Sequence, residues 1–176
     1  EGGMITTNDV GLSERIKFLR DHAMSKSKKY WHSEIGYNYR LTNIQAALGL
    51  AQLERINKLL NKRVSIYKRY YKNLSKINEF QLNRTNSSVE VSFWLISLEI
   101  KDYNENKRNE LIKKLRKHNI DTRPYFYPIS DMPMFKISNT EIAHEIHQKG
   151  IFLPIFYDLK NSEIDYICET IIKLTK

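Results

Sequence analysis

The sequence has little of what identifies several large classes of protein. It contains a single cysteine, Cys168, so an internal disulfide is excluded and we expect a buried structural thiol. No apolar run approaches the roughly 18 residues that a membrane-spanning helix needs, and the first residues lack the basic and apolar stretches of a secretory signal. We therefore expect a cytoplasmic protein with no membrane partner.

Sequence motifs for catalysis and metal binding are missing as well. The chain has no Gly-x-Gly-x-x-Gly fingerprint, no P-loop and no Gly-x-Ser-x-Gly elbow. Its five histidines are scattered and do not have the spacing of a metal site. The residues by themselves predict neither a metal centre nor a catalytic centre.

The net charge of +9 would suit an anionic partner such as nucleic acid. However, lysine and arginine are spread along the whole chain, and their densest group lies between the apolar positions of a predicted helix over 42–74. A solvated helix face explains that group more simply. We therefore predict no binding to nucleic acid.

What the chain does contain is the composition of a folded domain, with 41% hydrophobic and 11% aromatic residues. Apolar residues at three- and four-residue steps predict a long helix over 42–74, capped by Thr42 or Asn43 and bent near Asn57 or Asn61. Its first half is apolar on nearly all sides, which predicts burial in a core or at a subunit interface. The other predicted elements of this half are a strand over 4–7, a helix over 12–19 and a loop over 21–33 anchored by Tyr30 and Trp31.

The second half alternates between strands and helices. The predicted strands are 92–100, 120–127 and 151–154, and the predicted helices are 105–118, 140–148 and one that begins at Asn161 or Ser162. Gly150 is expected to end the helix before it as a C′ glycine. This order predicts an α/β layer with helices packed on a sheet.

Two segments are candidate sites. In the first, Asn38 and Arg40 precede the long helix, whose N-terminus could bind phosphate with their help, or the two side chains could only brace the loop. In the second, TRPYFYPIS (122–130), Arg123 precedes three aromatic residues. That segment could stack a base or sugar beside a cation, or its aromatic residues could simply pack against the sheet.

Several stretches together resemble one known family. In chain order they are EGGMITTND, YWHSEIGYNYRLTNIQAALGLAQLE, DTRPYFYPISDMPMF, GIFLP and IDYICETI. They resemble the DegT/DnrJ/EryC1/StrS family of sugar aminotransferases, which depend on pyridoxal 5′-phosphate (PLP). The implied fold is α/β, the aspartate aminotransferase-like fold type I of PLP-dependent transferases.

The resemblance implies that this chain is the C-terminal portion of a longer enzyme. In the family, the lysine that forms the Schiff base with the cofactor lies just before the EGGM motif, so no catalytic residue is expected in this chain. The implied domains are 1–59, the end of the large cofactor-binding domain, and 60–176, the small α/β domain.

The implied reaction is transfer of an amino group from L-glutamate to a nucleotide-linked keto sugar. The expected acceptor is GDP-4-keto-6-deoxymannose, and the expected setting is the biosynthesis of surface polysaccharide such as the O-antigen of lipopolysaccharide. The alternative is a non-catalytic remnant that associates with a partner through the apolar helix over 44–60.

The resemblance assigns roles to individual residues. Asn38 matches the asparagine of the family's GYNYR motif, which reaches the PLP phosphate of the neighbouring subunit in a homodimer, and Arg40 is a second candidate for that contact. The residues implied on the substrate side are Tyr37, Tyr39, Arg123 and Tyr127. Two positions depart from the family: Ser130 stands where a histidine is usual, and Ala23 where many relatives have glycine.

Overall fold

The computed structural model describes residues 2–135 and 140–176. The chain divides into two compact units, residues 1–56 and residues 57–176, and each is described by itself. Within the described residues, no helix has the length and apolarity that crossing a membrane would require.

The N-terminal unit contains two helices, α1 (Val10–Arg20) and α2 (Asn43–Leu53). The Asp9 carboxylate caps α1 by accepting from the Leu12 N–H at 3.0 Å, so this helix begins two residues before the predicted one. The predicted strand over 4–7 is wrong, because that segment pairs with no other strand in the described structure. Met4 and Ile5 are exposed there.

The predicted long helix is wrong as one continuous element. It consists of α2 and α3 (Ile56–Leu74), separated at Glu54 and Arg55 rather than near the two asparagines. The Arg55 N–H donates to the carbonyl oxygen of Gln52, three residues back, at 3.3 Å. Such a tightened turn ends the regular four-residue hydrogen bonding of an α-helix.

The second unit contains a four-stranded sheet in which every neighbouring pair is antiparallel. Its order is β1-β2-β4-β3. The strands are β1 (Phe80–Leu82), β2 (Ile96–Ile100), β3 (Arg123–Pro124) and β4 (Gly150–Leu153). The sequence did not predict β1, and β2 and β3 are shorter than predicted. For β3, Pro124 has no N–H to donate to a partner strand.

Helices α3, α4 (Glu105–Lys117) and α6 (Asn161–Thr175) cover one face of this sheet, and α5 (Glu141–Lys149) contacts α4 and β2. The core joins β2 and β4 to α3, α4 and α6 through residues that are almost fully buried: Ile66, Tyr70, Leu74, Ile96, Leu98, Leu111, Leu115, Ile151, Ile164 and Ile171. Cys168 is buried in the same core, as predicted. The opposite face of the sheet carries Ser97, Glu99 and Phe152.

Gly150 has a different role from the predicted one. Its φ is −99°, so it is not a left-handed C′ residue but the first residue of β4. A Cβ at this position would lie 2.4 Å from ring atoms of Tyr125. Gly150 is therefore required by the close approach of an aromatic ring and not by a turn.

Candidate functional site

Within the first candidate segment, 34–43, residues 37–40 form an extended stretch held against the end of α1. The Tyr37 and Tyr39 N–H groups donate to the carbonyl oxygens of Leu19 and Arg20 at 2.8 and 3.0 Å. The His22 N–H donates back to the Tyr37 carbonyl at 2.9 Å. These backbone bonds fix the direction of each side chain between residues 37 and 40.

Side chains alternate between two faces of this extended segment. The rings of Tyr37 and Tyr39 stack on one face, with centroids 5.2 Å apart and planes within 7° of parallel. On the other face, the Arg40 Nε donates to Asn38 Oδ1 at 3.3 Å, and Arg40 Nη1 lies 3.2 Å from Asp21 Oδ1. The structure therefore brings Asn38 and Arg40 together as a pair and leaves both side chains exposed.

The Asn38 amide group retains an unused donor. Its oxygen accepts from Arg40, whereas its Nδ2 has no hydrogen-bond partner within residues 2–135 and 140–176. Arg40 braces the segment through Asp21, so the bracing interpretation holds for that side chain. An outward amide donor beside a guanidinium is also the chemistry that a phosphate requires.

Helix α2 has its own cap and does not use this pair. The Thr42 hydroxyl accepts from the Gln45 N–H at 3.3 Å, and the Gln45 side chain accepts from the Thr42 N–H at 2.9 Å. This capping box satisfies groups at the helix N-terminus. Asn38 and Arg40 are therefore not capping residues.

Tight backbone packing holds the segment in place. A Cβ on Gly36 would lie 2.3 Å from the backbone nitrogen of Ala23, which is fully buried. Ala23 has a φ of 49°, in the left-handed region where glycine is favoured. An ion pair between Arg15 and Glu34 ties the start of the segment to α1.

The loop before this segment differs from its prediction. Tyr30 and Trp31 are not buried anchors, because they are 75% and 54% exposed. They lie beneath lysine ammonium groups instead, with the Lys28 nitrogen 3.9 Å from the Trp31 ring centroid. The loop is closed by an isolated bridge between Met24 and His32.

The second candidate segment, 122–130, belongs to the C-terminal unit and runs along the edge strand β3. The Tyr125 ring stacks on Phe152 at 4.6 Å, and burial raises the pKa of Tyr125 to about 12. Phe126 stacks against Trp94 at 6.4 Å. Tyr127 is exposed, with its ring 4.4 Å from that of His147.

Arg123 and Tyr127 are not part of one cavity. Arg123 is exposed, forms no ion pair or side-chain hydrogen bond among the described residues, and lines a cavity of about 740 Å³. Tyr127 lies outside that cavity. The polar and aromatic residues that share it with Arg123 are Arg63, Trp94, His118, Asn119, Asp121, Phe152, Phe156, Glu163 and Tyr166.

The sequence did not single out most of these cavity residues. Trp94 is positioned by Arg63, whose Nη1 donates to the carbonyl oxygens of Phe93 and Trp94 at 3.1 and 2.9 Å. Phe93 has a φ of 47°, which turns the chain just before β2. The contact spans 30 positions, so no local sequence pattern could have revealed it.

The chain is similar to curated proteins along nearly its whole length. The chain is 39% identical over 97% of its length to GDP-perosamine synthase of Escherichia coli O157:H7, and covers 46% of that protein. It is 35% identical to GDP-perosamine synthase of Caulobacter vibrioides, over 95% of this chain and 46% of that protein. The chain thus spans about half the length of the curated relatives that it matches.

A solved structure agrees with both the fold and the cofactor. The PLP form of Spr1654 from Streptococcus pneumoniae superimposes with a TM-score of 0.87 at 25% identity, over 98% of this chain and 45% of that one. This confirms the predicted α/β fold of PLP-dependent transferases, and PLP as the cofactor of the family. The model of the DegT/DnrJ/EryC1/StrS aminotransferase family matches residues 1–172, and the chain belongs to that family.

Proposed function

We propose that this chain is the C-terminal portion of a PLP-dependent sugar-nucleotide aminotransferase. The single observation that carries the proposal is 39% identity to a GDP-perosamine synthase along 97% of the chain. We infer domains at 1–59 and 60–176, with the cofactor-binding lysine in the part of the relatives that this chain does not span. The cofactor would supply the aldehyde that carries an amino group from donor to acceptor.

Asn38 and Arg40 are proposed to bind the phosphate of PLP in the neighbouring subunit. The unused Asn38 Nδ2 donor and the adjacent guanidinium fit a dianionic phosphate in charge and in hydrogen-bonding capacity. The hydrogen bonds of Tyr37 and Tyr39 to α1 hold the pair in an extended conformation, so little conformational entropy is lost on binding.

Tyr37, Tyr39, Arg123 and Tyr127 are proposed to contact the substrate. Arg123 offers an exposed guanidinium that forms no ion pair among the described residues, which suits the diphosphate of a nucleotide sugar. The stacked tyrosine pair offers a flat apolar surface for a sugar ring.

A second copy of this chain is the proposed partner of α2. Ile44, Leu48, Leu50 and Leu53 are all more than half exposed, on several sides of the helix. Exposed apolar area of this kind is typical of an interface. The same observation favours the alternative, a module that associates without catalysing a reaction.

The test is an amination assay on the protein encoded together with its upstream reading frame. We expect GDP-4-keto-6-deoxymannose to be aminated with L-glutamate as donor, in a cytoplasmic enzyme of surface polysaccharide biosynthesis. A preference for a dTDP-linked keto sugar would overturn the substrate assignment. Amination of neither sugar, with no absorption band of bound PLP, would leave the association module as the function.

A further inference from the structure

Helix α5 holds the segment 125–131 through two histidines that lie one turn apart. Near the end of the helix, His147 Nδ1 donates to the carbonyl oxygens of Tyr125 and Phe126 at 2.9 and 3.1 Å. Three residues earlier, His144 Nε2 contacts the Asp131 carboxylate at 2.6 Å. Tyr127 lies between these two attachment points, so both ends of its segment are tied to α5.

Both ring nitrogens of His144 lie close to acceptors, and the Thr140 hydroxyl, the one group that could donate to Nδ1, lies farther away at 3.2 Å. Nε2 faces the carboxylate of Asp131, and Nδ1 lies 2.8 Å from the carbonyl oxygen of Thr140. A neutral imidazole has one N–H and could donate to only one of them, whereas an imidazolium donates to both. The geometry therefore fits the charged ring, and the contact with Asp131 is then an ion pair.

A short 3₁₀ turn connects Asp131 to the residue that follows Tyr127. The Asp131 N–H donates to the carbonyl oxygen of Pro128 at 3.0 Å, which closes the turn Ile129–Asp131. Ser130 Oγ lies 2.8 Å from Thr140 Oγ1, at the start of α5. A shift of Asp131 would therefore move the backbone that carries the Tyr127 ring.

The charges around His144 favour its protonated form. The pKa of His144 is raised, first by its hydrogen bond to the Thr140 carbonyl and then by Asp131. The elements that contact α5 are α4 and β2, and the titratable or charged groups on these elements, on α5 and on the segment include Glu141, Glu145, His147, Tyr125, Tyr127, Asp131, Glu105, Arg108 and Glu99. Arg108 is directed away, since it donates to the His147 carbonyl at 2.6 Å and pairs with Glu105.

We propose that His144 is a positioning residue for Tyr127. As an imidazolium it fixes the segment 125–131 through Asp131. On losing its proton it loosens that end of the segment, which then keeps only the Ser130–Thr140 hydrogen bond, while His147 still holds the other end. The consequence for substrate binding rests on the proposed function, in which Tyr127 contacts the nucleotide sugar. The effect of His144 on the position of the segment does not depend on the proposed function.

The mechanical part is tested by NMR on the full-length protein with isotope-labelled histidine and tyrosine. We expect the Tyr127 amide signal to titrate with the same midpoint as the His144 ring, and to lose that titration in His144→Gln. Asp131→Asn should lower the His144 midpoint. The matched control is Glu145→Gln, which makes the same charge change on α5 but removes a partner of Lys149. The proposal is wrong if the Tyr127 signal does not change as His144 titrates. It is also wrong if the His144 ring has the same titration midpoint in Asp131→Asn as in Glu145→Gln.

The functional part is tested by the pH dependence of amination. We expect KM for the nucleotide sugar to rise about threefold as His144 deprotonates, as suits a half-exposed ion pair, with kcat unchanged. His144→Gln should show the raised KM at every pH. A pH-dependent KM that survives in His144→Gln contradicts the role in substrate binding. If no keto sugar is aminated but Tyr127 follows His144 by NMR, the proposed function fails and the positioning role stands.

Discussion

What Asn38 can bind depends on which atoms of its side-chain amide already form hydrogen bonds. Its oxygen accepts from Arg40, and its Nδ2 has no acceptor among the described residues, on a residue that is exposed. An aspartate at this position would present only acceptors and a negative charge, which would repel a phosphate. Asparagine is therefore the residue type that can be braced by Arg40 and still bind an anion.

Gly36 provides a direct test of how rigidly this pair is held. In Gly36→Ala the added Cβ would lie 2.3 Å from the backbone nitrogen of Ala23, so main-chain atoms must move. We expect the N-terminal unit to lose about 1–3 kcal/mol of unfolding free energy, the usual cost of overpacking. Denaturant unfolding, followed by the fluorescence of Trp31, measures it.

The matched control for that substitution is Gly49→Ala in α2. A Cβ there meets no atom within 4 Å, so the change should stabilise the helix by about 0.5–1 kcal/mol. Equal effects of the two substitutions would show that the 34–40 segment is not packed as described.

At the scale of elements, α3 and α6 are joined by a polar cluster centred on Asp165. Its carboxylate pairs with Arg69 and accepts from Asn73 Nδ2 at 2.7 Å. The hydrogen bonds from Arg69 and then from Asn73 lower the pKa of Asp165 from 3.8 to about 2. The folded state therefore favours the ionised carboxylate.

This shift predicts a dependence of stability on pH. Because the pKa is lower in the folded than in the unfolded state, the stabilisation is complete above pH 3.8 and is lost as the pH falls towards about 2. We expect the unfolding free energy of Asp165→Asn to fall less steeply over this window. Glu169→Gln makes the same charge change on α6, at a residue that forms no ion pair with any described residue, and serves as the control. If the unfolding free energy falls equally steeply with decreasing pH in Asp165→Asn and in the unsubstituted chain, the ionised Asp165 carboxylate does not contribute to stability.

Local signals in the sequence identified most helices but not the lengths of the strands. Asp9, Thr42 and Asn104 cap helices through their own side chains, and such caps can be recognised within four residues. The length of β3 depends on how far β4 runs beside it, which no local pattern records. The break at Arg55 likewise depends on backbone geometry within an apolar stretch that reads as continuous helix.

For the candidate sites as well, the sequence identified what a local motif contains and missed what distant residues form together. The GYNYR motif is local, so the sequence identified Asn38 and Arg40 together, and the structure pairs them. The cavity beside Arg123 is assembled from distant parts of the chain, including Arg63, His118 and Tyr166, and was not predicted. The resembling stretch DTRPYFYPISDMPMF ends at Phe135 and lies wholly within the described residues.

At the scale of the whole molecule, the apolar surface of α2 predicts self-association. Leu48→Glu should weaken the dimer at least about tenfold, because a buried leucine contributes about 1.5–3 kcal/mol and 1.4 kcal/mol is a factor of ten. Sedimentation over a range of concentrations measures the dissociation constant.

Ile142→Glu is the control for this prediction. It makes the same apolar-to-acidic change at an exposed helix position, 71% exposed in α5, outside the proposed interface. If Leu48→Glu and Ile142→Glu associate with equal affinity, α2 is not the contact between copies.

Subunit complementation measures directly whether Asn38 binds the cofactor of the neighbouring subunit. Two inactive variants of the full-length protein would be mixed and reassociated, one with Asn38→Asp and the other with its Schiff-base lysine replaced. If Asn38 acts across the interface, mixed dimers contain one intact site, and the mixture should recover about a quarter of the unsubstituted rate, since half of randomly paired two-fold dimers are mixed. A mixture that is no more active than either variant alone would contradict the account.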